Sequence, residues 1–88
     1  MNREIIDRNV QLIEKEVKKA FYKSDSLKEG IDIVQSEEML EKVLDKCDKV
    51  SDQKVVKMYY KSVSNNIIER YLNSGLKRLQ KKMIFGLI

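Results

Sequence analysis

The side chains best suited to binding lie near the C-terminus, where basic and apolar residues alternate with helical spacing. Leu76, Leu79 and Met83 recur at intervals of three and four residues, so they share one side of a helix. A basic amphipathic helix is typical of segments that dock in a partner's groove, lie on an anionic membrane or cover phosphates. The predicted partner-binding residues are Leu76, Lys77, Arg78, Leu79, Lys81, Lys82 and Met83.

Little in the sequence favours catalysis. Histidine is absent, so the serines lack the usual general base for neutral pH, and no glycine-rich phosphate loop is present. A zinc site would need several cysteines or carboxylates, whereas Cys47 is the single cysteine. The pair Glu37-Glu38 is better explained as the start of a helix. We therefore predict a protein that is not an enzyme and needs no metal or cofactor.

A second group of polar residues could contact DNA. Ser62-Val63-Ser64 could be the turn of a helix-turn-helix motif, with base-reading side chains after it and lysines on phosphates before it. The spacing argues against this arrangement, because Lys57 and Lys61 fall where its first helix needs apolar contacts. The candidate DNA-contacting residues are Lys54, Lys57, Lys61, Asn65, Asn66 and Arg70.

Composition favours one small helical domain over residues 1–88. The chain has no proline, three glycines and 36% charged residues, so long segments lack helix breakers. Residues 1–24 hold six basic and four acidic side chains (+2), residues 25–50 four and eight (−4), and residues 51–88 eight and two (+6). The acidic middle could pack on the basic end, or leave that end free for an anionic partner.

The single cysteine and the N-terminal residues bear on localisation. A lone thiol favours a reducing compartment, since small secreted domains usually need disulfides. The first ten residues include four charged side chains and lack the apolar stretch of a secretory signal. The longest apolar run is well below the roughly 20 residues of a membrane-spanning helix. We expect a soluble, cytoplasmic protein.

The first predicted helix covers about residues 3–23. Ile6, Val10, Ile13 and Val17 follow a 4-3-4 spacing that forms one narrow apolar seam. Two heptads are too few to predict a stable coiled coil. The seam either packs within a bundle or pairs with a second copy of the chain, which would make a homo-oligomer.

The middle of the chain predicts a connection and a second helix. Residues 24–36 interrupt the period, with Gly30 and a brief strand-like alternation, so we interpret them as a connection with about one helical turn. Ser36 before two acids predicts a helix start, giving a second helix over about 37–49. Its apolar arc comprises Met39, Leu40, Val43, Leu44, Cys47 and Val50.

The apolar face changes sides in the last third of the chain. Along a straight helix Val56, Val63 and Ile67 share one side, whereas Leu72 and the stripe after it fall nearly opposite. The chain must break near Asn73-Ser74-Gly75 or offer two faces to two partners. We predict the break, with a third helix over about 52–73 and a fourth over about 75–85.

Together these patterns predict an all-α fold, a small antiparallel bundle of three long helices and a short C-terminal amphipathic helix, completed alone or by dimerisation. The predicted function is binding another protein through the basic C-terminal hairpin, as a regulator, inhibitor or immunity-type factor. In size, basic pI and helix order the chain is similar to the bacteriocin immunity proteins, small basic four-helix bundles, although no motif carries residues across. The alternatives are the helix-turn-helix DNA regulator and a peripheral protein of anionic membranes.

Overall fold

The computed structural model describes the backbone of residues 3–86 and the side chains of residues 3–73. This part of the chain is all-helical. Its helices, in chain order, are α1 (Arg3–Lys23), α2 (Leu27–Gln35), α3 (Glu37–Asp45) and α4 (Val50–Gly86). Across the described residues, every helix is too short or too polar to cross a membrane.

Helices α1 and α4 form the most extensive interface and run in the same direction. Arg8 Nη2 lies 2.6 Å from Asp52 Oδ1 near their N-terminal ends. Farther along both helices, the rings of Phe21 and Tyr71 stack with their centroids 4.5 Å apart. The first contact joins residues near the start of both helices, and the second joins residues farther along both. The two long helices are therefore parallel.

Helix α3 runs antiparallel to these two. Cys47, just after α3, contacts Asn9 near the start of α1, whereas Met39 near the start of α3 shares a groove with Ala20. The core lies between the helices. Its buried apolar residues are Ile13, Val17, Val34, Met39, Val43, Cys47, Val56, Tyr60, Ile67 and Ile68.

The predicted connection over 24–36 is wrong, because nine of its residues form α2. Ser26 is the N-cap, and its hydroxyl accepts a hydrogen bond from the Glu29 backbone N–H at 3.1 Å. Gly30 does not break the helix but lets it approach α1 closely: a Cβ here would lie 2.5 Å from Phe21 Cδ1. Gly30 and Val34 are both buried, one helical turn apart.

The second helix, which the sequence predicts over about 37–49, is shorter in the structure, because α3 ends at Asp45. Ser36 caps its start as the sequence indicates, accepting from the Met39 N–H at 3.3 Å. After α3 the chain turns, which leaves Cys47 buried but Val50 exposed at the start of α4. Val50 therefore does not belong to the apolar arc of α3.

The predicted break at 73–75 is also wrong, since α4 continues through it for 37 residues. One glycine inside a helix costs only about 1 kcal/mol, and no proline is present to force a stop. The fold therefore has two long and two short helices. At 1.5 Å per residue α4 is about 55 Å long and α1 about 31 Å, so α1 cannot cover α4 along its whole length.

We expect Gly30→Ala to destabilise the protein by about 1 kcal/mol. Overpacking costs about 1–3 kcal/mol, and the better helix propensity of alanine offsets up to about 1 kcal/mol of it. Urea unfolding followed by circular dichroism measures the change. Lys28→Ala, an exposed position in the same helix, is the control; equal stability of the Gly30→Ala variant and the wild type would contradict the close packing of Phe21.

Candidate functional site

The side chains of the predicted partner-binding residues lie outside the described part of the chain. The structure describes only their backbone, which is part of helix α4. These residues are Leu76, Lys77, Arg78, Leu79, Lys81, Lys82 and Met83. The first residue of their apolar stripe, Leu72, is described and is 40% exposed. The stripe therefore begins at a position of α4 that the bundle covers only in part.

Leu72 belongs to the outward face of α4, the side of that helix that points away from the core. Exposed side chains recur along it with helical spacing at Lys54, Met58, Lys61, Asn65 and Leu72, and the buried Ile68 lies at its edge. Met58 is 62% exposed on this face. The opposite side buries Val56, Tyr60 and Ile67 in the core. The sequence predicts a change of the apolar face, and in the structure one continuous helix accounts for it. One side of α4 packs in the core, and the other side is exposed.

The structure does not form the predicted helix-turn-helix. Residues 62–64 lie inside α4, where the Ser64 hydroxyl donates to the Lys61 carbonyl oxygen at 3.1 Å. All six candidate DNA-contacting residues are exposed, but they do not share one surface. Lys54, Lys57, Lys61 and Asn65 lie on or beside the outward face. Asn66 and Arg70 lie on the other flank, where Arg70 and Lys18 of α1 line one groove.

The apolar seam of α1 is used inside the molecule. Ile13 and Val17 are both 0% exposed and belong to the core, while Ile6 and Val10 are half-buried. A residue with no accessible surface cannot contact a second chain without unfolding its own core. The predicted pairing of two chains through Ile6, Val10, Ile13 and Val17 is therefore not supported by this packing.

A polar cluster of the exposed Arg8 and the buried Asn9 and Asp52 joins the N-terminal ends of α1 and α4. Arg8 Nη2 and Asn9 Nδ2 donate to the same oxygen, Asp52 Oδ1, at 2.6 and 2.8 Å. The Asn9 amide also donates to the Ile5 carbonyl oxygen at 2.8 Å. The hydrogen bond from Arg8, followed by that from Asn9, lowers the pKa of Asp52 below its ordinary value. The cluster holds the charged form of Asp52 between the two long helices.

The polar cluster was missed from the sequence because each member has an ordinary local explanation. Asp52 lies in the first turn of α4, where an acidic side chain complements the helix dipole. Asn9 interrupts the buried side of α1 between Ile6 and Ile13. That polar residue on an apolar side was the available signal, because buried amides require hydrogen-bond partners.

A cleft of 540 Å³ lies beside this cluster, bounded by Leu12, Lys15, Lys46, Cys47 and Lys49. Its basic lining is partly neutralised within the molecule, since Lys46 Nζ lies 2.7 Å from Glu16 Oε1. Burial raises the pKa of the Cys47 thiol, so this side chain is held in its protonated, weakly nucleophilic form. With an internal ion pair and a protonated thiol, the cleft resembles a packing contact between helices more than a reactive site.

Tyr60 attaches α2 to α4. Its buried hydroxyl donates a hydrogen bond to the Val34 carbonyl oxygen near the end of α2. Burial raises the pKa of Tyr60 to about 12, because the phenolate would lose its hydration. This contact positions α2 against the core side of α4.

We expect Asn9→Ala to lower the free energy of unfolding by about 1–3 kcal/mol, because Ile5 and Asp52 each lose a buried hydrogen-bond donor. Gln11→Ala removes a similar amide from an exposed position of the same helix and should change stability by less than about 0.5 kcal/mol. Urea unfolding at neutral pH compares the two variants. Equal losses would show that the polar cluster does not stabilise the pairing of α1 and α4.

Tyr60→Phe should cost about 0.5–1.5 kcal/mol at pH 7, where the Val34 carbonyl loses its donor. The pKa of Tyr60 is raised when folded, so its contribution is complete below about pH 10 and is lost as pH rises toward about 12. The gap in unfolding free energy between wild type and variant should narrow over that range. Tyr22→Phe, at an exposed position, is the control. A gap that stays constant from about pH 8 to about pH 12 would contradict the burial of the phenol.

Comparison with protein-family models, with curated proteins and with solved structures gave no match for this chain. Among the described residues, no group of three or more histidine, cysteine, aspartate or glutamate side chains is arranged to hold a metal ion.

Proposed function

We propose that this protein is a non-catalytic, cytoplasmic binding module that engages another protein through the outward face of α4. The single observation that carries the proposal is the exposure of Leu72 and Met58 on one side of α4, whereas Val56, Tyr60 and Ile67 on the other side are packed in the core. The spacing of Leu76, Leu79 and Met83 continues that side beyond Leu72. A regulator, an inhibitor or an immunity-type factor would work through such a surface.

The mode of binding that best fits this surface is helix against helix. Large apolar residues at intervals of three and four residues are the anchors by which an amphipathic helix packs into a groove or beside another helix. The basic residues Lys77, Arg78, Lys81 and Lys82 favour a partner with acidic residues around its apolar contact. The binding segment is the second half of a continuous helix, in place of the predicted hairpin.

Protein binding is favoured over DNA binding for two reasons. The turn that a helix-turn-helix needs is absent from 62–64, and Asn66 and Arg70 point away from the lysines of the outward face. In addition, the distal part of that face is apolar, which suits desolvation against a protein better than contact with hydrated phosphates. Anionic membrane remains the alternative that shares the same segment.

We expect Leu76→Asp/Leu79→Asp to abolish capture of the natural partner in a pull-down from the native host. Two buried carboxylates would each lose hydration without gaining a counter-charge. Asn73→Asp/Gln80→Asp is the matched control, since it adds the same charge to the same helix but leaves the apolar stripe intact. Quantitative mass spectrometry of the captured proteins should show loss of the partner in the first variant alone.

The same two variants separate the alternatives. If the stripe variant and the control retain identical proteins, the distal part of α4 is not the contact. Sedimentation of the wild type with anionic vesicles, lost in the stripe variant, would favour the membrane surface. A shift of labelled duplex DNA with a steep salt dependence would favour the lysines of α4.

A further inference from the structure

A second apolar surface lies between α2 and α3, in a groove of 380 Å³. Ile33 of α2 is 37% exposed at this groove, and the buried Met39 of α3 lies beside it. The remaining lining residues are Asp32, Ser36, Glu38 and Lys42. The groove thus combines an apolar floor with a charged rim.

The lining of this groove is net acidic, whereas an adjoining groove that shares Ile33 and Met39 is also lined by Lys19 and Lys23. Asp32 and Glu38 are exposed, and neither has an ion-pair partner among the described residues. Lys42 is the one basic side chain in the lining. Residues 25–50, which include the groove, carry eight acidic and four basic side chains. An incoming segment with apolar anchors and basic flanks would therefore match both floor and rim.

The chain itself contains such a segment. Leu76, Leu79 and Met83 form the stripe, and Arg78 and Lys82 lie one helical turn apart along one flank of it. Within residues 74–88 there are four basic and no acidic side chains. Because α4 is continuous to Gly86, this segment cannot fold back onto the groove of its own chain. A second copy can supply it.

The location of the groove suits an exchange between two copies. Tyr71 of α4 stacks on Phe21 near the end of α1, so α4 passes the end of the bundle where α2 begins. The groove borders α2 and the start of α3, at that same end. Two copies that meet at these ends can each offer a basic segment to the other's groove. Reciprocal contacts of this kind close a two-fold dimer without leaving either surface free.

We propose that the groove between α2 and α3 binds the basic C-terminal segment, residues 74–86, of a second copy of this chain. This proposal rests on the proposed function of the α4 surface and adds a second copy of the chain as a partner of that surface. Direct pairing of two C-terminal segments is disfavoured, because it brings like charges together. The seam of α1 is disfavoured as the dimer contact, since Ile13 and Val17 have no accessible surface.

The first measurement is the mass in solution as a function of concentration and salt. The monomer mass is 10.4 kDa, and light scattering should give twice that value at low ionic strength. Raising the salt from about 50 mM to about 500 mM should weaken the dimer at least about tenfold, since exposed charge pairs are screened over a few Å. A monomer at every concentration and salt would overturn the inference, whereas the pull-down could still show a different partner.

Charge exchange is the decisive test. Asp32→Lys/Glu38→Lys should weaken the dimer at least about tenfold, and so should Arg78→Glu/Lys82→Glu, because each puts like charges across the contact. Mixing the two variants should give the mixed dimer preferentially, and a chain carrying all four changes should recover dimerisation. Asp7→Lys/Asp48→Lys makes the same charge change at exposed sites away from the groove and should leave the dimer unchanged beyond about a twofold effect.

Far-UV circular dichroism of each variant checks the fold, and Ile33→Ser tests the apolar floor without changing charge. If neither of the two charge-changing variants nor Ile33→Ser weakens the dimer, the contact lies elsewhere and the inference is wrong. Failure of the fourfold variant to dimerise, although it folds, would also contradict it. Binding of a monomer to anionic vesicles would assign the basic segment to lipid instead.

Discussion

The parallel pairing of α1 with α4 is the contact on which the rest of this structure depends. One end is held by Asp52, which accepts hydrogen bonds from Arg8 and Asn9. The other end is held by the stacked rings of Phe21 and Tyr71. Because α1 and α4 are parallel, the chain between them must run back along the length of α1 before α4 begins. The short helices α2 and α3 make that return, and their burial of Val34 and Val43 completes the core.

The inequality between the two long helices determines which surface is left for binding. A helix of about 55 Å packed on one of about 31 Å has more length than its neighbour can cover. Within the paired part, the core side of α4 is filled and the outward face holds lysines, Met58 and Leu72. The groove between α2 and α3 arises from the same return path, because the two short helices meet at a corner around Ser36. Both candidate contacts are thus consequences of one packing arrangement.

The local signals were predicted well where one residue acts on its own neighbours. Ser36 caps a helix as its position before two acids indicates, and the range of α1 follows from its apolar seam. The errors came where a local signal competed with packing. Gly30 looked like a breaker but serves as a close contact with Phe21, and Gly75 looked like a stop although the helix passes through it. Glycine permits both outcomes, so only its surroundings decide between them.

By itself, the sequence determined that the chain is helical, which side of each helix is apolar, and that the last third changes sides. These properties depend on spacing and on the absence of proline, which act within a few residues. Only the tertiary structure decided that α1 and α4 are parallel and that Ile13 and Val17 are buried in the core. It also decided that Asn9 contacts Cys47 and Asp52. Residues more than 35 positions apart form those contacts, and their proximity depends on where two short helices turn the chain, which no local pattern encodes.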